Sequence, residues 1–325
     1  MFWKWSRAII SGAGAAGPKN SRSATDPTKA RDSRRLKSPS LRKNNSRGAA
    51  AKTQAQGTSA TAPTKNSADT PSPLEGEGWD GGRFLIFIVG SLFFSSPAAA
   101  DTFPVKNILL ELFTSQGCSS CPPAEKFLDE VRQTDLPADR VISLAFHVDY
   151  WDNIGWKDPF SSAAFTTRQS LYANFLKIRT VYTPQMVVDG AYEMVGSDRR
   201  RVIDAAKSRL SAPSEFLISI SVDTTIVKIA RVRVSVDRLP ASPKLIFAAT
   251  FIPESTTHVR AGENAGREIR QVNIVHALSE PVPFRPGKSP AQTTFELPYS
   301  AGEGVAAWIQ DYKTFRVDQA AVWRK

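Results

Sequence analysis

Two cysteines are the residues whose spacing could do chemistry. Cys118-Ser119-Ser120-Cys121 follows the apolar run Ile108–Thr114 through Ser115-Gln116-Gly117. Cys-x-x-Cys spacing places two sulfurs within disulfide reach on one turn. A cysteine near a helix N-terminus meets unpaired N–H groups and the positive end of the helix dipole, which favour the thiolate. The thiolate is the species that attacks in disulfide exchange. Cys118 is then the attacking residue and Cys121 the one that resolves the mixed disulfide. No dissociable cofactor is needed, because the Cys118–Cys121 pair itself carries two electrons. Pro122-Pro123 follows directly and removes two N–H donors, so regular helix is expected to begin only around Cys121.

A second segment bears on the first. In Val181–Gly190 (VYTPQMVVDG), Thr183-Pro184 enters an apolar run that ends in Asp189-Gly190, a hairpin signal. Proline cannot donate to a ladder and belongs at a strand's first residue, and X-Pro bonds are where cis peptides occur.

The elements that must position these residues fall into two regimes. From Asp101 to Leu210 strands and helices alternate. Ile108–Thr114 and Val141–Val148 read as buried strands. Ala163–Lys177 has helical spacing, Met186–Val188 and Ala191–Val195 form a hairpin, and Ser197/Asp198 cap a helix over Arg199–Leu210. Beyond Pro213 period-two alternation takes over in Phe216–Asp223 and Val232–Val236. Leu245–Ile252, Arg270–Ala277, Thr293–Leu297 and Val305–Gln310 are further strand candidates. The expected fold is an α/β domain over residues 101–212 and an all-β, immunoglobulin-like sandwich over 213–325.

Thr183-Pro184, the strand after it and the Asp-Gly hairpin resemble the cis-proline loop of the thioredoxin superfamily. That resemblance covers about residues 105–210 and implies a thioredoxin-like domain, with Pro184 exposing backbone to the substrate chain. The Trp that precedes the first cysteine in ordinary thioredoxins is replaced by Gly117. A closer resemblance is to the bacterial secreted family called domain of unknown function 1223. It is carried by Glu111–Pro123, Phe146–Phe160, Val181–Gly190 and Arg260–Arg267. It implies a thioredoxin-like protein with no established substrate.

His147, Asp149 and Trp151 end the second buried strand, on the sheet edge that also carries Cys118. His147 or Asp149 could move protons for Cys121, or His147 could simply pack; Trp151 and Trp156 read as core. Asp149 and Asp152 are too few for a cation site on their own. Glu263 and Asn264 sit in a Gly-flanked loop, Ala261–Arg267, that reads as a turn or a contact to the first domain. His258 and His276 read as solvated or packing residues. The other readings of the cysteines are an inert disulfide in a binding module, and a Cu(I) site of Cys118, Cys121 and His147. No zinc motif, phosphate loop or Ser-His-Asp order stands out.

The net charge of +11 does not signal nucleic acid. Residues 1–83 hold 15 Lys and Arg against 6 Asp and Glu, and residues 84–100 are uncharged, so the remainder is nearly neutral. Residues 1–82 are expected to form a disordered basic tail. Arg83, the apolar core Phe84–Phe94 and Ser95–Ala100 then read as a signal peptide over residues 83–100, cleaved near Ala100-Asp101. Translation is expected to begin nearer residue 74–83, from a non-Met codon. These features imply a periplasmic or secreted protein without a transmembrane span after cleavage. Its partners would be envelope-protein thiols or disulfides and an unidentified redox partner, not nucleic acid.

Overall fold

A computed structural model describes residues 104–289 and 291–325, which lie in one compact unit. The tail and signal-peptide expectations fall outside the described residues. Twelve strands and three helices follow in order: β1 Ile108–Thr114, α1 Pro122–Glu130, β2 Val141–His147, α2 Ala163–Phe175, β3 Gln185–Val188, β4 Tyr192–Val195 and α3 Arg199–Leu210. The remaining strands are β5 Ile218–Asp223, β6 Ile229–Val236, β7 Lys244–His258, β8 Glu268–Leu278, β9 Val282–Phe284, β10 Gln292–Pro298, β11 Gly304–Asp311 and β12 Val317–Trp323.

The expected fold class is overturned. The chain is mainly β, and it is not a thioredoxin-like α/β domain followed by an immunoglobulin-like sandwich. Nine strands from both sides of residue 212 join one sheet in the order β12-β11-β7-β8-β2-β1-β3-β4, with β9 also on β7. The reason lies at β2. Its outer edge is covered by β8, which meets it in parallel at Ala145↔Ile274, and β8 is half of the long β7–β8 hairpin. Pairing of these edge groups fuses the two composition regimes into one hydrogen-bonded layer. A separate three-stranded sheet, β10-β6-β5, packs Val232, Val234 and Phe295 against Ile246, Ala307 and Ile309 of the large sheet.

β1 is central, and all seven of its residues are buried. Leu109 and Phe113 pack in a cluster with Phe165 and Tyr172 of α2. Ile108, Leu110 and Leu112 pack with Ala124 and Phe127 of α1 and Val202 of α3. It pairs in parallel with β2 from Ile108↔Val141 to Thr114↔His147, and antiparallel with β3 from Leu110↔Val188 to Phe113↔Gln185. This register sets Thr114 beside His147 and aims the next residues, Ser115–Cys121, over the same end of the sheet. The Asp189-Gly190 hairpin forms as the dipeptide predicts, with both residues at positive φ. A Cβ at Gly190 would stand 2.3 Å from the Phe315 carbonyl oxygen, so glycine is required there for space as well as conformation.

α1 begins at Pro122, with Cys121 as its N-cap, as the two prolines imply. Ser162 caps α2, and Asp198 caps α3 by accepting from the Arg201 N–H. None of these helices is long and apolar enough to cross a membrane.

Candidate functional site: a disulfide over a buried carboxylate

Cys118 and Cys121 are joined by a disulfide, with Cα atoms 5.5 Å apart. Both cysteines are 0 % exposed, whereas Ser119 and Ser120 between them are exposed. The Cys118 sulfur lies 3.3 Å from the Ser120 hydroxyl oxygen. The Ala124 and Glu125 N–H groups donate to the Cys121 carbonyl at 2.9 and 3.2 Å, closing the first turn of α1.

Gln116 anchors the loop from below. Its N–H donates to Asp158 Oδ2 at 2.7 Å and its amide nitrogen donates to Gln271 Oε1 at 2.8 Å. Its Oε1 accepts from the Trp156 indole at 3.1 Å. Gly117 packs tightly on Trp151: a Cβ there would sit 3.3 Å from the Trp151 Cβ. The Trp151 indole N–H then donates to Thr183 Oγ1 at 2.8 Å. The Thr183–Pro184 peptide is cis. The Pro184 carbonyl accepts from Gly196, whose Cα faces Ala124 of α1. Trp151 thus bridges the residue before Cys118 and the residue before Pro184. It and Trp156 are half-buried hydrogen-bond donors at the site, not plain core.

His147 and Asp149 part company. Asp149 accepts from Thr166 Oγ1 at 2.5 Å and fastens its loop to the first turn of α2. Asp152 accepts from Ser161 Oγ at 2.7 Å, within the same loop. His147 is fully buried under the disulfide loop, with Nδ1 2.7 Å from Asp158 Oδ2. Its Nε2 has no hydrogen-bond partner among the described residues. The second unpartnered atom nearby is Glu125 Oε2. Glu125 lies four residues after Cys121, one helical turn on and on the same face. Its Oε1 accepts from Thr114 Oγ1 and Gln271 Nε2, both at 2.6 Å.

These groups are electrostatically coupled. Burial pushes the Glu125 carboxyl above the usual carboxylate range, although His147, Thr114 and Gln271 all pull it down. Burial works against the His147 imidazolium, but the Asp158 charge and hydrogen bond, aided by Glu125, raise it above an ordinary histidine. Asp158 is held below the usual range despite its burial, chiefly by His147. Both groups are therefore shifted upward together, the carboxyl by burial and the imidazole by its acidic neighbours. Perturbed titrating groups in such a setting mark candidate proton-transfer sites.

The linkage has a definite sign. Glu125 and His147 are both raised on folding, so each contributes stability at low pH that is lost as pH rises through its folded value. A Glu125→Gln chain keeps the acceptor for Thr114 and Gln271 and removes the charge. Its thermal stability is expected to exceed that of the parent at pH 8 and to fall less from pH 5 to pH 8. Each tenfold change in proton affinity on folding is worth about 1.4 kcal/mol of that difference. Calorimetric melting at the two pH values checks this. A variant that melts lower than the parent at pH 8 would show that Glu125 is not held there against its own charge.

The loop Val259–Arg267 between β7 and β8 closes the site from the other half of the chain. Asn264, 0 % exposed, donates to the carbonyls of Gln116 and Cys118, both at 2.9 Å. The Glu263 carboxylate accepts from the Ser119 N–H at 3.0 Å and from the Ser119 hydroxyl at 2.6 Å. Both readings of this loop hold: the Ala265 and Arg267 N–H groups close turns on the Gly262 and Asn264 carbonyls, and the same loop contacts the first segment. Glu125 becomes a site residue only in the fold, and Asn264 makes the contact that its Gly-flanked loop allowed. Glu125 left a signal in its i,i+4 spacing from Cys121; Gln116, Asp158 and Gln271 left none that periodicity detects. His258 pairs with Glu268 at the end of the β7–β8 ladder, and His276 pairs with Glu303 at 2.9 Å. Among the described residues no group of three or more His, Cys, Asp or Glu could hold a metal ion.

A crystal structure of a protein from Agrobacterium tumefaciens superimposes with a TM-score of 0.52 at 26 % identity, covering 68 % of this chain and 95 % of that one. HBP35 of Porphyromonas gingivalis gives a TM-score of 0.47 at 14 % identity, covering 67 % and 75 %. No curated protein matches the chain significantly. The sequence pattern described as "Protein of unknown function (DUF1223)" matches residues 109–310. That span runs from the second residue of β1 into β11, more than half of the chain, and the protein belongs to the DUF1223 family.

Proposed function

We propose that the protein exchanges thiols and disulfides with proteins of the bacterial envelope through Cys118 and Cys121. The observation that supports this reading most is the pairing of the chain's only two cysteines directly before α1, with a buried, half-partnered carboxylate one helical turn behind them. An inert disulfide needs no such group, and burying a carboxylate with one free oxygen is costly. The signal-peptide pattern of residues 83–100 supports work in an oxidising compartment, where such pairs persist.

In the reduced protein the Cys118 thiolate attacks a substrate disulfide. A Cys118–substrate disulfide forms, and the other substrate sulfur leaves as a thiolate. The Cys121 thiol gives its proton to Glu125, and its sulfur attacks the Cys118 sulfur. The Cys118–Cys121 bond forms, the mixed disulfide breaks, and the second substrate thiolate departs. Two electrons pass from the protein to the substrate. Run backwards, the sequence oxidises a substrate dithiol. Trp151 and Thr183 hold the Pro184 loop in place, while Pro184 itself is buried, with its carbonyl engaged by the Gly196 N–H.

The reduction potential of the pair tests this reading, by equilibrating the protein in glutathione buffers. A value between about −120 and −270 mV is expected, the span of exchange enzymes. A value below about −300 mV would mark a structural disulfide. That second reading, a redox-inert binding module, is favoured by one observation: neither cysteine is exposed.

A further inference from the structure

Both sulfurs are enclosed, so exchange requires something to move. The candidate is short and well bounded. The base of the β7–β8 loop is pinned by Val259 N–H to the Arg267 carbonyl at 2.9 Å and by Gly266 N–H to the Val259 carbonyl at 2.8 Å. Between them Gly262 and Gly266 both hold positive φ, the conformation that costs glycine least. Gly266 has open space where a Cβ would point. The residues they bracket, Glu263 and Asn264, make the contacts that cover the disulfide loop.

Those contacts are of two kinds. Asn264 is buried, and its amide ties together the carbonyls on either side of Gly117, with its own carbonyl held by Arg267 at 3.1 Å. Glu263 is exposed and lies where a docking protein can reach it, yet it satisfies the backbone N–H of the residue next to Cys118. A carboxylate on a backbone N–H is a charge-assisted bond, stronger than a neutral one. It is also replaceable, since any acceptor presented by a partner can take the same N–H.

We propose that residues Gly262–Gly266 form a flap that shuts the Cys118–Cys121 disulfide, latched by Glu263 on Ser119 and wedged by Asn264. A protein partner opens it by supplying its own acceptor to the Ser119 N–H. The flap excludes small thiols and reserves the disulfide for partners that dock. This rests on the exchange reading and adds its gate.

The test uses the oxidised full chain and dithiothreitol. One dithiothreitol thiolate attacks a protein sulfur, forming a mixed disulfide and releasing the other cysteine as a thiolate. The second dithiothreitol sulfur then closes its ring and frees the first cysteine. The initial rate of thiol release is expected to rise about tenfold or more in Glu263→Ala, and further in Glu263→Ala/Asn264→Ala, with the reduction potential changed far less than the rate. Glu263 is a surface residue, so the single variant carries the test even where the double variant unfolds. A Glu263→Ala chain reduced at the parental rate would overturn the flap while leaving the exchange reading intact. If the parent and the variant both stay oxidised at equilibrium in dithiothreitol, the exchange reading fails instead.

Discussion

A Cys121→Ser chain is expected to accumulate stable mixed disulfides with envelope proteins, whereas Cys118→Ser forms none and loses exchange activity by about three orders of magnitude or more. The asymmetry follows from where the two residues sit. Cys118 lies in the loop before the helix, its sulfur beside the hydroxyl of exposed Ser120. Cys121 is the N-cap of α1, one turn from Glu125. An attacking sulfur must meet the substrate; a resolving sulfur must lose a proton and reach its neighbour. The chain has no third cysteine, so a mixed disulfide on Cys118 has no other internal attacker. It persists until an external thiol arrives. Non-reducing electrophoresis of envelope extracts reads the adducts, and added dithiothreitol releases them. No adduct from Cys121→Ser, together with unchanged biological activity of Cys118→Ser, would leave the disulfide a structural clip.

Much of this is legible in the residues, and what is not has a common cause. The runs that become β1 and β2 are apolar on both faces and short, which is what a central strand demands. Pro122 and Asp198 mark helix starts because proline and aspartate act within a turn of themselves. The Asp189-Gly190 turn is equally local. The sheet's continuity across residue 212 is not local: it depends on β8 finding the edge of β2, and a period-two pattern names a strand without naming its neighbour. β12 escapes the pattern because it carries Asp318 and Gln319 among its apolar residues and so shows no clean alternation. Half of the site escapes in the same way. Cys118, Cys121, Thr183 and Pro184 are read from motifs, whereas Trp151 reads as core until the fold sets its indole on Thr183. Gln271 and Asn264 come from more than 140 residues downstream of the loop they bond. Their amides carry no periodic signal: the Gly-flanked loop offers Asn264 as a contact without naming its partners, nothing marks Gln271, and the fold supplies the rest.

The largest stability effect is expected away from the cysteines, at Arg168. Its guanidinium is buried and bonded to Glu111 of β1 at 2.5 and 3.0 Å, to the Tyr172 hydroxyl at 3.0 Å and to Gln310 of β11 at 3.3 Å. The rings of Trp308 and Phe247 lie 4.9 Å from its centre, with Tyr172, Phe315 and Phe146 just beyond. Burial opposes the charge, but Glu111 and Tyr172 more than offset it, and the guanidinium is held more firmly protonated than usual. The cluster draws on β1, β2 and α2 from one half of the chain and on β7 and β11 from the other. Replacing Arg168 by Met strands the Glu111 carboxylate in an aromatic interior, where an uncompensated charge costs about 3–5 kcal/mol. The double variant Glu111→Leu/Arg168→Met removes both charges at once and is expected to recover most of the loss, because apolar groups of similar size often replace a buried ion pair without penalty. Urea unfolding of the two single variants and the double variant reads the coupling directly. A loss under about 1 kcal/mol in Arg168→Met would mean that water reaches Glu111, and that the aromatic shell, without the ion pair, holds the two halves of the sheet together.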